Sequence, residues 1–262
     1  MKSRTTIFLL KKKWVALLGA LAVVCGIFYV VNYPAAVAAG TAQRQLPIYC
    51  VDRGNKKLCS ISFDAAWGNH DTSNLIDILG RYNVKATFFV VGDWVEKYPE
   101  SVKALHDAGH EVMSHSLHHD HYNSLSTDQI IADVQATNEK IEAVTGVCPT
   151  LIRCPYGEYD DHVIAAIRSQ NMEPIQWDVD SLDWKDYDAG TIYDRVTTRV
   201  APGSIVLFHN AALHTPEALP SILEYLIKEG YTVLPISELI LDGDYVMDHT
   251  GRQCPCVSEQ EE

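Results

Sequence analysis

Five short segments place chemically active side chains directly after apolar runs. Asp64 follows Ile61-Ser62-Phe63, and His115 and His119 stand four residues apart after the run 111–114. Arg153 opens Arg153-Cys154-Pro155-Tyr156-Gly157, Asp183 and Trp184 close Asp180-Ser181-Leu182-Asp183-Trp184, and His209 ends Leu207-Phe208-His209. Two imidazoles at the four-residue spacing can share one metal ion. A carboxylate beside an arginine is held ionised and oriented, ready to take a proton. A histidine beside a carboxylate can be kept protonated and give one. The set therefore reads as metal-assisted hydrolysis, with Asp64 as base, His209 as acid and Asp183 as the partner of His209.

Each piece also has a plainer reading. An H-x-x-x-H pair can arise by chance among 11 histidines. An aspartate at a strand end is often a turn or helix-capping residue, and a histidine in an apolar strand is often a hydrogen-bonded core residue. Convergence raises the functional reading, because all five segments would open at one mouth. Trp67, Tyr156 and Trp184 are candidates to stack on a ligand there, whereas Trp94 and Trp177 read as core.

Those segments need elements to carry them. Strand-like runs cover 58–63, 86–91, 111–114, 151–153, 174–177, 204–208 and 232–234, with helix-period segments between them. One helix starts near Thr72-Ser73 and carries Leu75, Ile76 and Leu79. Another starts at Ser126, whose hydroxyl can cap it while Gln129 reaches back; Ile130, Ile131, Val134, Ile141 and Val144 form its apolar stripe. A third carries Leu219, Ile222, Leu223, Leu226 and Ile227 and ends at Gly230. Seven strands each followed by a helix imply parallel strands with right-handed crossovers, so the fold class is α/β. An open doubly wound sheet would fit the same pattern. A distorted (β/α)7 barrel is favoured because no Gly-rich phosphate loop follows the first strand and polar residues cluster past many strands, where barrel enzymes keep their chemistry.

The ends of the chain differ from its middle. Residues 1–13 are a basic flank (Lys2, Arg4 and Lys11-Lys12-Lys13), and 14–31 is an apolar run without a charge, just long enough to cross a bilayer. The flank would stay in the cytoplasm, so the rest would lie outside. Ala36-Val37-Ala38 offers a signal-peptidase alternative to a retained single-pass anchor. Residues 32–45 read as a linker, 46–245 as the domain and 246–262 as an acidic tail with two cysteines. The formal charge is −13. Without the five basic residues of the flank, the exported part carries 16 positive and 34 negative residues, or −18. That argues against nucleic acid as a partner. Among the seven cysteines, Cys50 and Cys59 flank a turn on Gly54-Asn55. A hairpin there would make them a non-hydrogen-bonded pair, whose side chains come closest, so an exported protein could join them as a disulfide.

Across 57–241 these motifs, in this order, resemble the polysaccharide deacetylases with a NodB-type domain, carbohydrate esterase family four. Ser62-Phe63-Asp64 resembles the first motif, His115 and His119 the H-[S/T]-x-x-H metal pair, and Arg153-x-Pro155-Tyr156-Gly157 the third. Asp183-Trp184 and Leu207-x-His209 match the fourth and fifth. The resemblance implies the NodB-like deacetylase fold and N-deacetylation of a polysaccharide, with peptidoglycan the best guess. It implies that Arg153 steadies the base Asp64, that the Tyr156 N–H holds an oxyanion and that Trp184 lines the acetyl pocket. It also implies a divalent metal, zinc by ligand type, with cobalt or nickel also fitting two imidazoles. One departure stands out. Where the family has T-F-D-D-G-P, with the second aspartate as third metal ligand, this chain has Ser62-Phe63-Asp64-Ala65-Ala66-Trp67-Gly68. Ala65 has no donor atom, and Asp71 is the next carboxylate along the chain that could replace it. The altered motif resembles a sporulation-associated branch. It also leaves a second expectation, a wall polysaccharide-binding protein that kept the fold and lost catalysis. Oligomeric state is not legible.

Overall fold

The computed structural model describes residues 21–25, 28–29 and 44–256. The expected anchor or signal segment over 14–31 lies largely outside them; among the described residues no helix is long and apolar enough to cross a membrane. The compact unit that holds the motifs begins at Gln45.

Its strands are β1 (Cys50–Val51), β2 (Leu58–Ala65), β3 (Thr87–Val90), β4 (Glu111–Ser114), β5 (Leu151–Ile152), β6 (Glu173–Pro174), β7 (Val179–Asp180), β8 (Ile205–His209), β9 (Thr232–Val233), β10 (Tyr245–Met247) and β11 (Arg252–Pro255). The parallel sheet runs in the order β6-β5-β4-β3-β2-β8-β7, with β9 pairing to the start of β2. Its end strands, β6 and β7, share no ladder, so the distorted barrel is a curled half-barrel that does not close. The short run expected at 174–177 is in fact the end of β6 and a separate β7, which takes Asp180 into the sheet.

Helices cover the outside: α1 (Thr72–Arg81), α2 (Gly92–Lys97), α3 (Pro99–Asp107), α4 (Thr127–Thr145), α5 (Asp161–Ser169), α6 (Ala189–Thr197), α7 (Thr215–Lys228) and α8 (Ile236–Leu239). The start of α4 carries the expected capping box: the Gln129 N–H donates to the Ser126 hydroxyl and the Ser126 N–H to the Gln129 carboxamide. Ile130, Val134 and Ile141 of its stripe are buried, as are Leu219, Ile222, Leu223 and Leu226 on α7.

Strand alternation divides the core in two. Phe63, Phe88 and Phe208, on neighbouring strands, stack at 4.8 and 5.6 Å and belong to the cluster shared with the helices. Ala65 belongs to the same cluster. Phe89, Met113, Leu151, Ile175 and Ile205 fill the inside beside Ile48. Each such side chain stabilises the fold by about 1.5–3 kcal/mol on burial. The same alternation leaves Ser62 and Asp64 facing inward, above that floor.

Two expectations for the ends need correction. The turn at Gly54-Asn55 forms, with the Lys56 N–H donating to the Arg53 carbonyl at 3.3 Å, but no hairpin grows from it. Instead β1 pairs with β11, and β2 with β3, β8 and β9. Cys50 and Cys59 are therefore free, buried thiols. Burial, with Asp178 adding, pushes them up to about 11 and about 12, which suppresses the reactive thiolate. The tail expected from 246 is also partly structural. Residues 245–255 form β10 and β11, and Gln253 is buried, its carboxamide exchanging hydrogen bonds with the backbone of Leu241.

Gly203 ties β1 to the entrance of β8. Its carbonyl accepts from Val51 N–H at 2.9 Å, and its φ is +86°. A Cβ there would lie 1.7 Å from the Val51 oxygen. Left-handed backbone alone costs a non-glycine residue about 1–2 kcal/mol, and here the clash adds to it. Gly203→Ala should lower stability by at least about 2 kcal/mol, read as a drop of several degrees in melting temperature; an unchanged melting temperature would contradict this packing.

Candidate active site

Register sets the centre of the site. On the parallel pair β2–β8, Asp64 and His209 are direct partners, so their side chains share one face at the C-terminal end of the sheet. Asp64 is buried and accepts from Arg153 Nη1 at 2.7 Å. Arg153 is wholly buried; its Nη2 also donates to Ser62 Oγ at 2.9 Å and to the Gln176 carbonyl at 3.1 Å. The guanidinium lies over Phe89, 4.3 Å from the ring centre, and 5.4 Å from that of Trp177. Burial alone would push the Asp64 carboxyl up, but Arg153, then His115 and His209, outweigh it and hold it below the ordinary range.

The paired histidines come next. His115 is buried, and its Nδ1 lies 2.7 Å from the Arg153 carbonyl. That contact assigns the proton to Nδ1 and leaves the Nε2 lone pair free, 3.5 Å from Asp64 Oδ2. The His119 ring is 5.0 Å away, centre to centre. Burial drives both histidines down, His119 to about 4, so both stay neutral, the form that binds metal. The loop that carries them bends sharply: Ser116 and His119 have φ of +72° and +62°.

His209 is held by Asp183 and oriented through it. Asp183 is fully buried; Oδ1 is 2.8 Å from His209 Nδ1, and Oδ2 accepts from the His209 N–H at 2.8 Å and from Thr215 Oγ1 at 2.7 Å. Burial would lower the imidazole's affinity for protons, but the hydrogen bond and charge of Asp183 override it and raise His209 above 6.5.

These groups line a cavity of about 400 Å³ with Trp67, Tyr156, Trp177 and Trp184 among its walls. Trp67, Tyr156 and Trp184 are each more than half exposed, so their rings face an incoming ligand. Tyr156 sits in a left-handed turn at φ +58°, with its ring 4.5 Å from that of His119 and stacked on His121 at 4.1 Å. Its N–H has no hydrogen-bond acceptor among the described residues. Leu182 and Ala211 also have positive φ, so strained non-glycine positions gather in the loops of this mouth.

Asp71 lies apart from the group. It does not line the cavity, and its Oδ2 is occupied by the Ala211 N–H at 2.8 Å. Ala65 packs its methyl into the outer core. Two imidazoles beside Asp64 fit a divalent ion as a partial donor set, but among the described residues no group of three or more His, Cys, Asp or Glu gathers as a metal cluster. Sequence reasoning passed over Asp180, which lines the cavity; Trp177 packs against the inner core as expected and lines the cavity as well. Asp180 stood in the motif at a strand end, a signal available beforehand. Trp177 gave none, because its role comes from contact with Arg153 and with a glycine, Gly157, whose added Cβ would meet the indole at 2.9 Å.

Comparison with known proteins agrees with this geometry. A family model for polysaccharide deacetylase matches residues 52–175. The chain is 35% identical over 186 residues to the peptidoglycan-N-acetylmuramic acid deacetylase PdaC of Bacillus subtilis, covering 71% of this chain and 39% of PdaC. It is 30% identical to PdaA of the same organism, with the same printed activity, over 72% of this chain and 73% of PdaA. Among solved structures, BA3943 of Bacillus anthracis, described as a CE4 family pseudoenzyme, superposes with a TM-score of 0.70 at 36% identity, covering 74% of this chain and 68% of that one. A mutant of it, described as having restored enzymatic activity, superposes equally well. The site is thus of the carbohydrate-esterase class. The chain belongs to the polysaccharide deacetylase family.

Raised proton affinity at His209 depends on the Asp183 charge. In Asp183→Asn, burial should dominate and His209 should titrate below 6.5 rather than above it, as read by NMR of the imidazole. The stability that protonated His209 contributes is fully present below 6.5 and lost as pH rises through its folded value. In the variant the sign should reverse, with His209 costing stability as pH falls below 6.5. Titration still above 6.5 would show that Asp183 is not the cause.

Proposed function

We propose that this chain removes N-acetyl groups from sugars of peptidoglycan outside the cell. The observation that carries the reading is that Asp64 and His209, register partners on β2 and β8, face the same cavity as His115 and His119, with Arg153 and Asp183 shifting them toward the ionised carboxylate and the protonated imidazole. The chain spans about two fifths of the length of PdaC, a peptidoglycan deacetylase, and about three quarters of PdaA. Its basic flank and apolar run at 14–31 would carry the domain across the membrane and either stay as an anchor or be cleaved. The altered first motif is consistent with a sporulation-associated role.

Asp64, kept ionised by Arg153 until the water attacks, takes the proton from that water. The Tyr156 N–H, free and held by its turn, donates to the oxyanion that forms at the acetyl carbonyl. His209 then donates its proton to the departing sugar amine, and Asp183 stabilises the charged imidazole. Trp67, Tyr156 and Trp184 hold the sugar faces and the acetyl methyl. A divalent ion on His115 and His119, zinc by ligand type with cobalt or nickel possible, would add Lewis acidity at the carbonyl.

A second reading has one specific support. Ala65 supplies no ligand, and a chain 36% identical to this one is described as a pseudoenzyme. On that reading the cavity binds wall polysaccharide without turning it over, and Asp71, which does not line the cavity, supplies no substitute ligand there.

Metal content and acetate release from N-acetylated polymers separate the two. The deacetylase reading predicts bound divalent metal, acetate from peptidoglycan, and a loss of about 10²–10⁴-fold or more in turnover for Asp64→Asn with metal content unchanged. Because that substitution leaves Arg153 without its charged partner, a melting curve must accompany the assay. Unaltered turnover in a folded variant removes Asp64 as the base. No metal and no acetate from any polymer, with saccharide still bound, favours the binding protein.

A further inference from the structure

Beyond the groups that would touch the reacting atoms, one buried side chain governs the loop where this chain departs from its family. Asn210 is almost wholly buried, next to His209. Its Oδ1 accepts from the Ala66 N–H at 3.2 Å, and its Nδ2 donates to the carbonyls of Trp67 and Gly68, both at 2.6 Å. Its own N–H donates to the Asp64 carbonyl at 3.0 Å. Trp94 Nε1 donates to the same two carbonyls, at 3.0 and 2.7 Å. Asp71 finishes the seam by accepting from Ala211. The segment 64–71 is thereby fastened to the loop after β8 and to α2.

One exposed ring gains from this fastening. Trp67 projects over the cavity, its centre 5.8 Å from that of His119 and 6.4 Å from that of His209. An exposed indole on a free loop would lose much of its contact energy to ordering on binding, whereas a ring on a fixed backbone does not. The ring is more than half in solvent, so the hydrogen bonds to its backbone contribute much of what fixes it, beside its contacts with the His119 and His209 rings. A buried carboxamide that spends both ends on three consecutive residues, two of them through carbonyls that already have a donor, is more than a strand-end turn requires.

We propose that Asn210, with Trp94 as second donor, is a positioning residue for sugar binding: it presets Trp67 as the platform on which the N-acetylated saccharide stacks. Two residues beyond the position where the family keeps a metal carboxylate, this chain places an aromatic ring. The inference rests on the polysaccharide reading of the cavity, but binding rather than turnover is what it concerns. Asn210→Asp would face the two carbonyls with an acceptor, and Asn210→Ala would leave them to Trp94 alone.

The test is a double-variant cycle on affinity. Dissociation constants for a tetrameric N-acetylglucosamine oligosaccharide, and for a peptidoglycan glycan fragment, are measured by calorimetry on the full chain. Trp67→Ala should weaken binding about tenfold, the scale of one stacked ring. Asn210→Ala and Asn210→Asp should weaken it three- to tenfold, and Trp94→Phe, which keeps the packing but loses the donor, should do the same. In the Trp67→Ala background all three should have no further effect, because they act through that ring. Melting curves identify any variant that fails to fold, and Trp94→Phe then carries the test in place of the Asn210 variants. Full additivity, or unchanged affinity in folded Asn210 and Trp94 variants, overturns the proposal. Absence of acetate release with saccharide binding intact would instead count against the deacetylase reading alone, and no saccharide binding by the unaltered chain would overturn both.

Discussion

A guanidinium buried without access to water governs this structure. Arg153 is fully enclosed, and it is tolerated because Asp64, the Ser62 hydroxyl and the Gln176 carbonyl accept from its two Nη groups while Phe89 and Trp177 cover its faces; among the described residues only its Nε lacks an acceptor. Removing one partner of such a pair costs about 3–5 kcal/mol, because the other charge stays behind. The pair reaches further through the backbone of the same residue, whose carbonyl takes the His115 Nδ1 proton. One arginine thus decides both that Asp64 is ionised and which nitrogen of His115 is free. It also links the end of β5 to β2 across the inside of the curl.

Parallel register does the rest of the positioning. In a parallel pair, partner residues point the same way, so the pairing of Asp64 with His209 delivers base and acid to one face without help from a loop. The loops then contribute the parts that strands cannot. Ser116, His119, Tyr156, Leu182 and Ala211 adopt left-handed backbone there, costing of order 1–3 kcal/mol each. The floor of Phe89, Met113, Leu151, Ile175 and Ile205, with the outer phenylalanine stack, offsets that strain.

Much of this was legible beforehand, for local reasons. Apolar runs announced β2, β3, β4 and β8, the Ser126–Gln129 box announced α4, and the motif residues mark the strand ends that meet at the cavity. What was not legible depended on distant partners. β7 is two residues long and exists only because β8 pairs with it. β1 pairs with β11, about 200 residues away, which undid the local hairpin and the disulfide inferred from it. Asp71 stands near Asp64 in sequence, yet it does not line the cavity, and the Ala211 N–H, supplied from beyond β8, holds its Oδ2. Thr215 supports Asp183 from 32 residues away with no local signal. Spacing identifies candidates; tertiary hydrogen bonds assign them.

At the centre of all this, one site keeps a carboxylate ionised and an imidazole protonated over the same pH interval. The pH dependence of kcat/KM for acetate release by the metal-loaded chain tests that most directly. A broad bell is expected, with its acid limb below 3.8 from Asp64 and its alkaline limb above 6.5 from His209. A rate that falls off above 3.8 on the acid side, or an alkaline limb below 6.5, would contradict it.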